Sequence, residues 1–287
     1  ASVAAMAARS RDDPGMRRKL FAVVGDPVSH SLSPLIHNRW IVDAGLDAHY
    51  SAIHLQSSNA AADIRALAAD YSGLNITLPH KIAALEAAAT SSPETRAIGA
   101  ANTLARESGA WVAHNTDVAG FSEALVAALG SQRAGLKVVM IGAGGAARAA
   151  VASLAASGAS LAIVNRSIAN AKALAADLAP DALTGELADL ATLAETADVV
   201  VNSASLGHAG GSLPALPAGK GRPFLDLSYG KAAAQTLQAA ATSGWTPHDG
   251  LPMLVGQAAA AFRIWFGISP DEAGALRACR EAVAARA

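Results

Sequence analysis

Val138-Val139-Met140-Ile141-Gly142-Ala143-Gly144-Gly145-Ala146-Ala147-Arg148 decides the fold. The four leading apolar residues read as a buried strand, the glycines as a sharp turn, and the alanines as the start of a helix. Strand, glycine turn and helix in that order form the context of a dinucleotide-binding fingerprint. Gly142 allows the tight turn, Gly144 lets the backbone approach a pyrophosphate, and Ala147 is the small residue where helix packs on strand. The helix start offers free N–H groups and a positive dipole end to phosphate. Gly142, Ala143, Gly144, Gly145 and Ala146 are therefore candidate cofactor contacts.

The next strand bears on which dinucleotide. Leu161-Ala162-Ile163-Val164 is followed by Asn165-Arg166-Ser167, where an NAD site usually carries an acid for the ribose hydroxyls. An arginine can pair with a 2′-phosphate that an acid would repel. NADP(H) is the expected cofactor, with Asn165, Arg166 and Ser167 as contacts. The competing reading is an ordinary polar helix start capped by Ser167.

Size and composition bound the rest. A chain of 287 residues is about twice a typical domain, so two domains are expected. The 52% hydrophobic content is enough for two cores, and a net charge of −1 argues against nucleic acid as a partner. No apolar run reaches the roughly 18 residues of a membrane span. The single cysteine, Cys279, forms no intrachain disulfide or cysteine metal cluster, which suits a cytoplasmic setting. Residues 1–17 mix alanine with arginine, lack the apolar core of a signal peptide, and read as a flexible extension with Met16 as a possible internal start.

Working outward, residues 20–24 form a first strand closed by Gly25. A helix follows from Pro34 with Ser33 as its cap, and residues 49–55 form a second strand. Ile64, Leu67 and Tyr71 mark one helix face, and residues 74–78 alternate as a strand ended by Pro79. Another helix follows Lys81, and residues 103–106 and 111–114 make a hairpin around Ser108-Gly109. A helix begins near Asp117, with Phe121, Leu125 and Leu129 buried, and residues 130–135 are a linker. From Lys137 to about Gly250 strands alternate with helices, as in a parallel sheet. Residues 251–267 form a helix, and Ser269-Pro270 starts the last one.

Polar groups gather where α/β sheets hold ligands, after strand ends. They are Ser31-Leu32-Ser33-Pro34, Asn75-Ile76-Thr77-Leu78-Pro79-His80-Lys81, Asn102-Thr103 and Asn115-Thr116-Asp117. Asn202-Ser203-Ala204-Ser205 and Gly250-Leu251-Pro252-Met253-Leu254-Val255-Gly256-Gln257 follow in the second half. In this order and spacing, with the glycine turn, they closely resemble the shikimate dehydrogenase family, from about Leu20 to the C-terminus.

The resemblance implies an α/β enzyme of two domains that reduces 3-dehydroshikimate to shikimate with NADPH, in aromatic amino-acid synthesis. It implies a substrate domain of residues 18–117 and 251–287, with a Rossmann-type nucleotide domain, 118–250, inserted between. Lys81 and Asp117 match the family's catalytic pair. Ser31, Ser33 and Tyr229 match groups on the substrate carboxylate, and Asn75, Thr77, Asn102 and Gln257 match groups on the ring hydroxyls. Ser203, Gly250 and Met253 join the cofactor contacts. The partner is a small molecule, neither nucleic acid nor membrane, and the protein is a monomer or homodimer.

These residue types suit the reaction. Hydride delivered to a ketone leaves an alkoxide that needs a proton. A lysine, with an ordinary pKa of about 10.4, carries one at neutral pH. It can stabilise and protonate that oxygen, and a neighbouring carboxylate orients it. Bland alternatives are a helix cap for Ser33 or Asp117, a solvated lysine for Lys81, and strand-edge polars for Asn75 and Thr77. His30, His37, His80 and His114 have no metal-ligand spacing and read as structural. The chain departs from many relatives at Asn170, where a second arginine often stands, at Pro252, and around Tyr229-Gly230-Lys231. Rivals are a quinate/shikimate paralogue, a non-catalytic NADP-binding regulator, and a methylene-tetrahydrofolate dehydrogenase-like enzyme.

Overall fold

The computed structural model describes residues 18–130, 135–204 and 212–286. The expected extension at 1–17, residues 131–134 of the linker, and Ser205 lie outside them.

Twelve strands and eleven α-helices follow one another among the described residues. The first half holds β1 (Lys19–Gly25), α1 (Ser33–Asp43), β2 (Ala48–His54), α2 (Ala60–Ala66) and β3 (Gly73–Ile76). It continues with α3 (Lys81–Ala87), β4 (Thr90–Ser91), α4 (Pro93–Ile98), β5 (Thr103–Glu107), β6 (Ala110–His114) and α5 (Asp117–Leu129). The second half holds β7 (Lys137–Ile141), α6 (Gly145–Ala156), β8 (Ser160–Asn165), α7 (Ile168–Leu178), β9 (Leu183–Glu186), α8 (Leu190–Ala194), β10 (Val199–Asn202) and β11 (Pro223–Asp226). It ends with α9 (Lys231–Thr242), β12 (Thr246–His248), α10 (Leu251–Phe266) and α11 (Glu272–Ala284).

Two six-stranded sheets result, in the orders β2-β1-β3-β5-β6-β4 and β12-β11-β10-β7-β8-β9. The second is parallel at every pairing. The first is mixed, because the hairpin β5–β6 turns antiparallel to β3. Ser108 (φ 49°) and Gly109 (φ 86°) both have positive φ, the form that closes a two-residue hairpin.

The apolar runs explain why both sheets are covered on two faces. Side chains alternate along a strand. Phe21 and Val23 enter the core beneath α1 and α10, while Ala22 and Val24 enter the core beneath α2 and α3. In the second sheet Val138 and Met140 face one core, and Val139 and Ile141 the other. Continuous apolar strands are what a sheet buried on both faces requires.

Helices α5 and α10 cross between the sheets. A Cβ on Gly256 would stand 3.2 Å from Gly120 Cα, so two glycines let the backbones meet there. That crossing brings the first residue of α5, Asp117, towards Gln257 on α10.

Several boundaries differ from the sequence reading. Leu32, not Ser33, occupies the N-cap of α1, and Ser33 begins the helix with its N–H donating to Ser31 Oγ at 3.2 Å. The last helix begins at Glu272, because the Asp271 side chain accepts from Gly274 N–H at 2.9 Å, whereas Ser269-Pro270 stays outside. Ser167 is the N-cap of α7, but its side chain makes no capping bond. Strand β3 ends at Ile76, which frees Thr77 and Leu78 for the loop before Lys81.

Candidate active site

A cavity of about 420 Å³ lies between the two sheets, at the C-terminal ends of β1 and β3 and facing the glycine turn. Ser31, Ser33, Asn75, Thr77, Lys81 and Asn102 line it from the first sheet's side. Asp117 and Gln257 enter from α5 and α10, and Tyr229 from the loop after β11. Gly144, Gly145, Ala146, Ser203, Gly250 and Met253 line the opposite wall. Gly142, Ala143, Asn165, Arg166 and Ser167 are not part of this lining and stand at the ends of β7 and β8.

Lys81 and Asp117 meet. Lys81 Nζ donates to Asp117 Oδ2 at 2.5 Å, with side chains 14% and 5% exposed, so little water screens the pair. Lys81 is placed by the start of α3, and its stem packs on Gly145 of the glycine turn. The Asp117 carboxylate sits at the N-terminus of α5, where the helix dipole favours negative charge. Its other oxygen, Oδ1, accepts from Asn102 Nδ2 at 2.9 Å. Thr116 N–H donates to Asn102 Oδ1 at 2.6 Å, which fixes that amide's orientation. Asn102 Nδ2 also approaches Gln257 Oε1 at 3.3 Å. Asp117 is thus engaged in an ion pair and is not a helix cap; Thr116 holds the N-cap position.

A hydroxyl cluster gathers at the far end. Leu32 N–H donates to Tyr229 Oη at 3.4 Å, and the Ser31 hydroxyl lies against the same phenol. Burial raises the Tyr229 pKa above its ordinary value, so the phenol stays neutral. Asn75, on β3, donates through Nδ2 to Thr103 Oγ1 at 3.0 Å and accepts through Oδ1 from Tyr50 Oη at 2.7 Å.

The opposite wall fits a dinucleotide. Gly142 has φ +105°, and a Cβ there would come within 2.6 Å of Ser203 Oγ, so only glycine suits. A Cβ on Gly144 would meet nothing within 4 Å, so the turn opens onto free space at the N-terminus of the twelve-residue helix α6. That is the room a pyrophosphate needs. Arg166 is exposed after β8. Strand register places Glu186 of β9 opposite Asn165, an acid that sequence order hides. Its carboxylate is held in a reciprocal capping box with Asp189.

Comparison with known proteins decides the family. Residues 23–104 match the model of the shikimate dehydrogenase substrate binding domain, 124–209 that of shikimate / quinate 5-dehydrogenase, and 250–280 that of the shikimate 5′-dehydrogenase C-terminal domain. A shikimate dehydrogenase (NADP(+)) of Hyphomonas neptunium is 44% identical over 268 residues, covering 93% of this chain and 98% of that one. The chain belongs to the shikimate dehydrogenase family. Among solved structures, the Thermus thermophilus shikimate 5-dehydrogenase in complex with shikimate is 34% identical with a TM-score of 0.80, covering 93% of this chain and 99% of that one. The same enzyme in complex with NADP(H) and shikimate is 34% identical with a TM-score of 0.77, covering 92% and 99%. Among the described residues, no helix of this shikimate dehydrogenase family member is long and apolar enough to cross a membrane.

Sequence reasoning gave no role to four residues around this site. Thr103 and Thr116 share their hydroxyls with the amides of Asn75 and Asn102. Their adjacency to Asn102 and Asp117 was the available signal. Tyr50 sits inside the strand pattern and had no such signal. Arg148, in the glycine motif itself, donates to the Ile98 carbonyl and to Asp177 Oδ2 at 2.9 Å, tying α6 to α4 and α7.

Proposed function

We propose that this protein is an NADP-dependent shikimate dehydrogenase that reversibly reduces 3-dehydroshikimate to shikimate. The observation that carries the reading is the Lys81–Asp117 pair, 2.5 Å apart, in one cavity with the turn residues Gly144, Gly145 and Ala146. Residues 18–117 and 251–287 form the substrate unit and 118–250 the nucleotide unit, in a cytoplasmic enzyme of aromatic amino-acid synthesis.

Bound NADPH supplies the hydride for the carbonyl carbon. Lys81 directs its ammonium at the carbonyl oxygen, stabilises the charge developing there and gives up one proton to it. Asp117 holds the ammonium in place, and Asn102 holds Asp117. In the reverse direction the neutral Lys81 amine takes the proton from the shikimate hydroxyl. Ser31, Ser33 and Tyr229 hold the carboxylate through neutral hydroxyls, and Asn75, Thr77, Asn102 and Gln257 satisfy the ring hydroxyls. Polar groups left unpaired in a closed cleft are costly, and this discriminates against substrates lacking those hydroxyls.

Backbone N–H groups of the glycine turn hold the pyrophosphate, and Arg166 meets the 2′-phosphate. The test is a spectrophotometric assay of shikimate and quinate, each with NADP and with NAD. Shikimate with NADP should be the best of the four combinations. Turnover of quinate equal to or better than shikimate overturns the substrate assignment, and no turnover in any combination supports a binding protein on the same scaffold.

A further inference from the structure

Tyr50 lies behind the cavity wall and does not line it. It is 1% exposed, and its ring stacks on His37 at 4.2 Å between centroids and 10° between planes. Asn38 clamps its backbone in both directions, accepting from Tyr50 N–H at 2.9 Å and donating to Tyr50 O at 2.7 Å. The backbone and the ring of Tyr50 are therefore both held in place.

Its hydroxyl donates to Asn75 Oδ1 at 2.7 Å. On the other side of that amide, Nδ2 donates to Thr103 Oγ1 at 3.0 Å and points at the Asn102 carbonyl at 3.4 Å. A carbonyl can only accept, so Nδ2 belongs on that side and Oδ1 must face the phenol. An amide oxygen has two lone pairs; Tyr50 takes one, and the His37 ring lies beside the same amide. The Ser33 side chain neighbours the same phenol. Burial pushes the Tyr50 pKa well above its ordinary value, so it remains an O–H donor throughout the working pH range.

We propose that Tyr50 is a positioning residue for shikimate: without touching the substrate, its hydroxyl fixes the orientation of Asn75. The proposal rests on the shikimate dehydrogenase reading given above.

Tyr50→Phe keeps the ring and its stacking and removes only the hydroxyl. It should raise KM for shikimate about tenfold, the equivalent of one hydrogen bond, with kcat changed less than about threefold. KM for NADP should not move, whereas a general loosening of the fold would move both. In an Asn75→Ala background, Tyr50→Phe should add less than its effect in the wild type, because its partner is gone. A second measurement needs no variant to fold. The chain has three tyrosines, so Cζ-labelled tyrosine in the wild type yields few resonances. The Tyr50 signal should shift on adding shikimate and stay put on adding NADP.

An unchanged KM in Tyr50→Phe alongside a raised KM in Asn75→Ala refutes this proposal alone. So does a Tyr50 signal that ignores shikimate. A wild type inactive on shikimate refutes the underlying reading, and this proposal with it.

Discussion

Lys81→Met removes the ammonium while keeping an aliphatic chain to pack on Gly145. It leaves Asp117, 5% exposed, without the partner that stood 2.5 Å away. Removing one member of a buried pair costs about 3–5 kcal/mol. Two contacts reduce that here. Asn102 still donates to Oδ1 at 2.9 Å, and Asp117 keeps its place at the start of α5. The dipole there contributes about 0.3–1 kcal/mol. We therefore expect a loss of about 2–3 kcal/mol, a fall in Tm of roughly 5–10 °C. Loss of the proton donor should lower kcat by about 10²–10⁴. KM for shikimate should change far less, because the serines and amides still hold the ring. The double variant Lys81→Met/Asp117→Asn separates the two effects. It leaves no unpaired charge, so it should recover most of the Tm and none of the kcat. Thermal melts and steady-state absorbance of the reduced nicotinamide measure both. A Lys81→Met enzyme with kcat within tenfold of wild type refutes the proton-donor role. A double variant as unstable as the single one refutes the buried-charge argument.

Arg166→Ala should cost NADP about 1.5–3 kcal/mol of binding, roughly ten- to a hundredfold, and leave NAD nearly unchanged. Because Glu186 stands one strand away and Asn170 supplies no second cation, the wild-type preference should be incomplete; kcat/KM for both cofactors decides, and equal losses would sink the idea. Gly144 has φ −84° and open space around its Cβ position, so Gly144→Ala should leave Tm unchanged and raise KM for NADP; Gly142→Ala, at φ +105°, should lower Tm by several degrees. The reverse pattern would show that the turn does not face the cofactor. Burial lowers the His37 pKa from 6.5 to about 3. Between these values the unfolded chain binds a proton that the native protein does not. Stability is therefore lost as pH falls through that window, by up to about 1.4 kcal/mol per unit. Urea midpoints between pH 6.5 and 5 should slope downward on acidification, and His37→Phe should flatten the slope; an unaltered slope would assign it elsewhere.

Much of the architecture was legible because it is written in local pattern. Apolar runs such as Val138-Val139-Met140-Ile141, the glycine turn and the Ser108-Gly109 hairpin each depend on residues a few positions apart. Backbone sterics and side-chain periodicity act over that range, so strands, helices and the dinucleotide turn followed from order alone. The short strands β4 (Thr90-Ser91), β9 (Leu183-Thr184-Gly185-Glu186) and β12 (Thr246-Pro247-His248) were missed because none carries an apolar run or a clear alternation. The cap of α1 was misplaced for a related reason. Ser33-Pro34 looks like a helix start, and only the finished turn, with Leu32 at the cap, decides which residue begins it.

The site residues were nameable because their motifs resembled a family, and their meeting is a tertiary fact. Lys81 and Asp117 are 36 residues apart, and Asn102 and Gln257 are 155 apart. The strand order β3-β5-β6 joins the first pair, and the Gly120–Gly256 crossing joins the second. Tyr50 became visible only once β2 lay beside β1, two strands from Asn75 on β3. Glu186 came beside Asn165 only through the pairing of β8 with β9. Local pattern specifies which elements form. Hydrogen-bond partners and charge neighbours are chosen by how those elements pack, because burial makes each polar group find its partner wherever the sheet order brings one.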